Sequence, residues 1–130
     1  MIAVVIPAHN EARRLGRCLV AMRAAVAMAE QAGHQVEVLV VLDRCSDGSA
    51  AVAARHGVRT LAVEAGSVGM ARRLGAAQML ERGARWLACT DADSQVPAHW
   101  LLSQLACTAE VVCGTVHIGC WQPWQRAALR

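Results

Sequence analysis

Apolar residues in this chain alternate between short unbroken runs and longer stretches where they recur every three or four positions. Ile2-Ala3-Val4-Val5-Ile6 is continuous and mostly β-branched, as expected of a strand buried on both faces, and Pro7 is expected to stop it. Asn10 reads as an N-cap, with Glu11 in the first helical turn, where a negative charge suits the dipole. Leu15, Cys18, Leu19, Met22, Val26 and Ala29 then form one apolar helix face, and Gly33 closes the helix.

The same alternation continues. Val36 to Leu42 is a second buried strand ending at Asp43, followed by a loop of turn formers, Asp43-Arg44-Cys45-Ser46-Asp47-Gly48-Ser49, and a short Ala-rich helix ending near His56-Gly57. Val58 to Val63 is less apolar and so nearer an edge. After the Gly66-Ser67-Val68-Gly69 loop, Met70, Leu74, Ala77 and Leu80 mark a helix that stops at Gly83. Arg85 to Thr90 is the fourth strand. Pro97 fits the first turn of a fourth helix with Trp100, Leu101 and Leu105 inward, and Glu110 to Ile118 reads as a fifth strand. Residues 119–130 show no period. Strands and helices alternating over short links, with no hairpin signal and no repeat, predict an α/β fold. It would be a three-layer αβα sandwich around a mostly parallel sheet.

Composition narrows the class. A chain of 130 residues that is 55% hydrophobic and 18% charged holds one core and is not disordered. No apolar run spans a bilayer and no basic segment precedes the first strand, so the expected location is cytoplasmic, with at most a peripheral membrane association. The net charge of +3 is carried by arginine without any lysine, and Phe and Tyr are absent, which is unlike a nucleic-acid surface. The six cysteines contain no C-x-x-C and lie mostly in apolar runs, as reduced core residues would. Cys107, Cys113, His117 and Cys120 match no common zinc spacing.

The chemistry concentrates in Thr90-Asp91-Ala92-Asp93-Ser94, directly after the fourth strand. Asp91 and Asp93 have a plain structural explanation as turn or cap residues. They also suit a hard cation, because Mg²⁺ and Mn²⁺ prefer oxygen ligands and Mg²⁺ is commonly held by one or two carboxylates plus substrate phosphates. In a parallel sheet, Asn10, Glu11, Asp43, Asp91 and Asp93 all follow strand ends and share one edge, where such folds bind ligands. Arg72 and Arg73 on the third helix could fork onto a diphosphate there. Asp43 has two uses, accepting hydrogen bonds from a base or ribose, or capping its loop with Ser46 and Asp47.

Four blocks now stand in order: Ile6-Pro7-Ala8-His9-Asn10-Glu11, Val40 to Ser49, Gly69-Met70-Ala71-Arg72-Arg73-Leu74-Gly75, and Thr90 to Ser94 with Pro97 and Trp100 beyond. Over about Ile2 to Val116 the chain resembles family 2 glycosyltransferases of the Rossmann-like GT-A fold. The resemblance implies a UDP- or GDP-sugar donor, a Mn²⁺ or Mg²⁺ cofactor and transfer to a hydroxyl acceptor, with inverting stereochemistry. By motif position Pro7, Ala8 and Glu11 would line the nucleotide pocket and Asp43 would bind the base. Arg72 would contact the nucleotide, and Asp91 and Asp93 would form the D-x-D, Asp93 being the direct metal ligand.

The chain also departs from the family. Arg73 replaces a frequent Asn, and Asp43-Arg44-Cys45-Ser46 replaces the usual Asp-Asp-Gly-Ser. Family members carry an acceptor half with a carboxylate base, whereas here Glu110 is the last acid and His117 is the remaining side chain titrating near neutrality. The expected organisation is a nucleotide-sugar-binding domain over 1–118, followed by 119–130 as a tail or the opening of an acceptor region around Trp121 and Trp124. A missing half would leave apolar surface favouring a homo-oligomer. Two readings follow: a glycosyltransferase donor domain, or a nucleotide-binding module without turnover. A nucleotidyltransferase would want a Gly-rich, Lys-containing loop that Pro7-Ala8-His9-Asn10 does not provide.

Overall fold

A computed structural model of the chain describes residues 1–114. Four parallel strands form one sheet: β1 (Ile2–Ala8), β2 (Val36–Asp43), β3 (Arg59–Val63) and β4 (Trp86–Cys89), in the spatial order β3-β2-β1-β4. Four helices connect and cover them: α1 (Ala12–Gln31), α2 (Ser49–Arg55), α3 (Val68–Glu81) and α4 (Trp100–Ala106). The α/β layering expected from the sequence is the observed one. The strands run out from β1 through β2 to β3, and the chain then returns to place β4 on the other side of β1. Strand order therefore reverses between β1 and β4, which opens a crevice beyond their carboxyl ends.

β1 is central and buried at every position, so both of its faces must be apolar. Ile2, Val4, Ile6 and Ala8 join Val40 and Leu42 of β2 against Leu15, Cys18, Leu19 and Met22 of α1. Ala3 and Val5 join Leu39 and Val41 against Ala71 and Met79 of α3. One layer thus contains α1 with α2 and α4 packed beside it, and among the described residues α3 is the helix on the other face. The exposed pattern of β3 agrees with its expected edge position.

Pro7 does not stop β1, which continues through it to Ala8. The Val5 carbonyl accepts from Thr90 N at 3.3 Å, so Pro7, two residues later, turns its missing N–H to that same side. β4 has already ended there, and no ladder bond is lost.

Asn10 is not the N-cap of α1. It takes the left-handed conformation (φ 51°), and Glu11 stands at the cap position without a capping side chain. The end of α1 is as expected: Gly33, at φ 95°, lets the chain leave the helix in a conformation with little cost only for glycine.

The face of α3 is also different from the expected one. Met70, Leu74 and Leu80 are largely exposed, and the buried residues are Ala71, Gly75 and Met79. Small residues allow this helix to sit close to the sheet. A Cβ added at Gly75 would lie 2.6 Å from Val41 Cγ2 and 2.8 Å from Val5 Cγ1.

Two further expectations change. Glu110 to Gly114 is not strand, and residues 115–118 of that proposed fifth strand lie outside the described residues, as do His117, Cys120 and the 119–130 segment. Of the five cysteines described, all are free, only Cys18 is buried, and Cys89, Cys107 and Cys113 are exposed. Pro97 precedes α4 instead of opening it, and its carbonyl accepts from Trp100 N at 3.0 Å. No helix among the described residues is long and apolar enough to cross a membrane.

Candidate functional site

The candidate site residues lie at strand ends, on the loops that follow the strands and at the start of α3. The loop after β1 is held in shape by the loop after β2. Asn10 Oδ1 accepts from Ser46 N at 2.8 Å and Asp47 N at 3.3 Å. Asp47 Oδ2 accepts from Ala12 N at 3.1 Å, and the buried Ser49 Oγ accepts from Glu11 N at 2.9 Å. The first N–H groups of α1 are thus capped by residues more than thirty positions away. Ser49 also donates its hydroxyl proton to Asp47 Oδ1 at 2.6 Å, the largest of the contacts that lower the Asp47 pKa. Glu11, partly buried, is fixed by this network at the start of α1.

Pro7 and Ala8 are buried in the last part of β1, paired with Val41 and Leu42. Their contribution to a pocket is therefore backbone and shape. His9 is exposed just beyond them, with its Nδ1 2.8 Å from the Asp43 carbonyl.

Asp43 ends β2 with 6% of its surface exposed. Its Oδ1 accepts from Ala65 N at 2.8 Å and Gly66 N at 3.0 Å, closing the loop after β3 onto β2. The loop it caps is the one after β3, not its own loop in company with Ser46 and Asp47. The Gly66 N–H is the main cause holding its pKa below the usual carboxylate value, with Ala65 N–H, Arg44 and His9 adding to it. Oδ2 has no hydrogen bond among the described residues. Arg44 (φ 52°) pairs with Glu64 at 3.5 Å and lays its guanidinium across Gly66, where an added Cβ would be 3.1 Å from its Cζ.

Asp91 to Ser94 forms a turn in which Ser94 N donates to the Asp91 carbonyl at 3.1 Å. Ala92, at 3% exposed, anchors the turn in the core beside α1, and Cys18 Sγ donates to the Asp91 carbonyl at 3.5 Å. With its middle residue buried, the turn puts both acids into solvent. Asp91 Oδ1 is 3.5 Å from Arg72 Nη2 of α3, and Asp93 Oδ2 is 3.9 Å from Arg14 Nη1 of α1. The two carboxylates therefore straddle the sheet edge, one towards each helical layer. Burial, then the charges of Asp93 and Asp91, push the Cys18 thiol up to about 11. Arg72 Nε is buried without a hydrogen-bond partner, so its guanidinium is only partly satisfied. Arg73 is exposed.

The sequence-derived residues Glu11, Asp43, Arg72, Asp91 and Asp93 thus border one edge of the sheet, and Glu110 does not. Glu110 lines a separate groove of about 540 Å³ along β4, with Trp86, Leu87, Trp100 and Val111. Three participants were not read from the sequence: Arg14, which meets Asp93, and Asp47 and Ser49, which cap the start of α1. None leaves a spacing signal, because each contact joins segments distant in the chain.

The fit to a divalent cation can be judged from the donor set. Among the described residues no three His, Cys, Asp or Glu side chains gather closely enough to hold a metal alone. Asp91 and Asp93 offer two exposed carboxylates with only long ion-pair contacts. That suits a Mg²⁺-like ion which takes its other ligands from water and phosphate.

Structures of S. aureus TarS 1-349 resemble the chain at TM-score 0.64 and 18% identity, or 0.67 and 17% in complex with UDP, covering 81% of this chain and 31% of theirs. Glucosyl-3-phosphoglycerate synthase from Mycobacterium tuberculosis, in complex with Mn²⁺, UDP and glucosyl-3-phosphoglycerate, matches at TM-score 0.60 and 22% identity, over 85% of this chain and 40% of that one. The chain thus spans roughly a third of the length of these GT-A neighbours. No curated protein matches it. The family model for Glycosyl transferase family 2 matches residues 3–127, nearly the whole chain, and the chain belongs to that family.

Proposed function

We propose that this chain is the donor-binding part of a glycosyltransferase that takes a nucleoside-diphosphate sugar with a divalent cation and passes the sugar to a hydroxyl acceptor. The observation that carries this reading is the turn at Asp91 to Ser94. It raises two carboxylates at the point where strand order reverses, with Asp43 at a neighbouring strand end. The UDP and Mn²⁺ bound by the structural neighbours agree with it.

Each residue then has a task. Asp43, held by two backbone N–H groups through Oδ1, presents Oδ2 to a ring N–H of the base. Pro7 and Ala8 form the floor beside it, and Glu11 the near wall. Arg72 turns its under-used guanidinium to a phosphate oxygen, a charge-assisted contact suited to its fork. Asp93 holds the cation directly, with Asp91 beside it. When bound, the cation supplies Lewis-acid stabilisation of the departing nucleoside diphosphate.

A second reading, nucleotide binding without turnover, is favoured by the absence of any Asp or Glu within residues 111–130, so that no carboxylate there can deprotonate an acceptor. Release of free sugar from the donor without an acceptor would favour transfer chemistry over it.

Calorimetry with UDP, GDP and their sugars, with and without Mn²⁺, tests the proposal. Metal-dependent binding is expected, weakened at least about tenfold by Asp93→Asn, since a lost charge-assisted contact exceeds about 1.4 kcal/mol. Equal binding by the two proteins would falsify the metal assignment.

A further inference from the structure

Arg14 belongs to none of the four sequence blocks, yet it is the group that meets Asp93. Its Nη1 lies 3.9 Å from Asp93 Oδ2, where the turn after β4 packs beside α1. From the opposite layer, Arg72 Nη2 stands 3.5 Å from Asp91 Oδ1. Each acid of the turn therefore has its own guanidinium, one from each side of the sheet. The Arg14 and Asp93 side chains are 68% and 46% exposed, and exposed pairs at such separations couple weakly. This guanidinium offsets the charge of Asp93, and a dication can displace it.

We infer that Arg14 is a functional residue of the donor site, an exchangeable counterion that yields Asp93 to the divalent cation and then faces the anionic diphosphate. The inference rests on the donor-site reading above. Its physical content is a reversal of sign. A guanidinium beside Asp93 opposes a divalent cation that arrives alone, because both want the same carboxylate. The same guanidinium favours a cation bound together with a nucleoside diphosphate, because phosphate oxygens that the cation does not hold still carry negative charge. Arg14 therefore favours cation and nucleotide binding as a pair, and weakens the binding of a free divalent cation at the turn.

Arg17 provides the control. It lies three residues along α1 from Arg14, is exposed, and makes no ion pair among the described residues. Arg17→Gln removes an equal charge without touching Asp93. The experiment is a Mn²⁺ titration of nucleotide-free protein followed by electron paramagnetic resonance, paired with UDP and GDP calorimetry at saturating Mn²⁺. Wild type, Arg14→Gln, Arg14→Lys, Arg17→Gln and Asp93→Asn are compared.

For Arg14→Gln, Mn²⁺ alone should bind up to about fivefold more tightly, the range open to an exposed ion pair. Nucleotide in the presence of Mn²⁺ should bind about threefold or more weakly, since a positive charge facing the diphosphate is lost. Arg14→Lys should remain within about twofold of wild type in both, because the charge is kept. A shift of both affinities in the same direction, or an equal effect from Arg17→Gln, overturns the inference. The two levels separate cleanly. If Asp93→Asn leaves Mn²⁺ binding unchanged, the donor-site reading fails and this inference with it. If Asp93→Asn abolishes binding but Arg14→Gln does nothing, the Arg14 assignment fails alone.

Discussion

Gly75 of α3 lies directly over Val41 of β2, so close that a single added methyl would stand 2.6 Å from Val41 Cγ2. Val5 Cγ1, at 2.8 Å, closes the other side. Both neighbours are β-branched, fully buried and fixed in central strands, so neither can move aside easily. Gly75→Ala gains about 1 kcal/mol of helix propensity but overpacks the core at a cost of roughly 1–3 kcal/mol. A net loss of stability is expected, visible as a lower urea midpoint with an unchanged m-value. A rise in midpoint would show that α3 can lift off the sheet at no cost.

Asn10 serves two needs at once, a left-handed backbone and an acceptor for two N–H groups of the loop after β2. Asn10→Gly keeps the conformation and loses the acceptor. Asn10→Ala loses both. Destabilisation of about 1 kcal/mol for Gly and about 2 kcal/mol for Ala follows from the hydrogen-bond and left-handed terms. Thermal or chemical denaturation of the two variants gives the order, and Ala equal to or milder than Gly would contradict it.

The Asp43 carboxylate has a pKa held below 3.8, chiefly by the Gly66 N–H and next by the Ala65 N–H. A group whose folded pKa is depressed contributes stability that is present above its unfolded pKa and lost as pH falls through the folded value. Asp43→Asn should therefore lower the denaturation midpoint at pH 7. The gap from wild type should shrink as pH is taken below 3.8. Midpoints measured from pH 7 down to the acid transition check this. A gap that is constant with pH would assign the effect to packing alone.

Thiol accessibility separates the described cysteines. Cys18 is 1% exposed with its pKa raised to about 11, mainly by burial, so it should resist alkylation at pH 8 in the native protein. Cys107 and Cys113 are exposed and should react readily. Peptide mapping after brief iodoacetamide treatment reads the order. Modification of Cys18 as fast as Cys113 would mean that the contact between α1 and the Asp91 turn opens freely.

β1 to β4, their order along the chain and their parallel pairing were legible because buried β-branched runs and alternating helical periods are local signals, whereas the strand expected from Glu110 is not formed over 110–114. β1 and the Val38 to Leu42 part of β2 are uninterrupted apolar runs, and such runs predict burial on both faces. The face of α3 was not legible. Met70, Leu74 and Leu80 carry the apolar period, but the sheet accepts the small face of Ala71 and Gly75, because closeness of approach is a property of two surfaces and not of one helix. The Asn10 expectation failed for a related reason. Its side chain was judged against the helix that follows it, and its partners came from the loop after β2.

The chain's own order of residues determined the α/β class, the acids that follow each strand and the turn that carries two of them, since each is encoded within a few neighbouring positions. Tertiary structure alone decided what those acids meet: Asp43 closes the loop after β3, Asp47 caps α1, and Arg14 stands beside Asp93. These contacts join segments 22, 35 and 79 positions apart, where side-chain period and composition carry no information. Only the return of the chain from β3 to β4, on the far side of β1, brings the last of these pairs together.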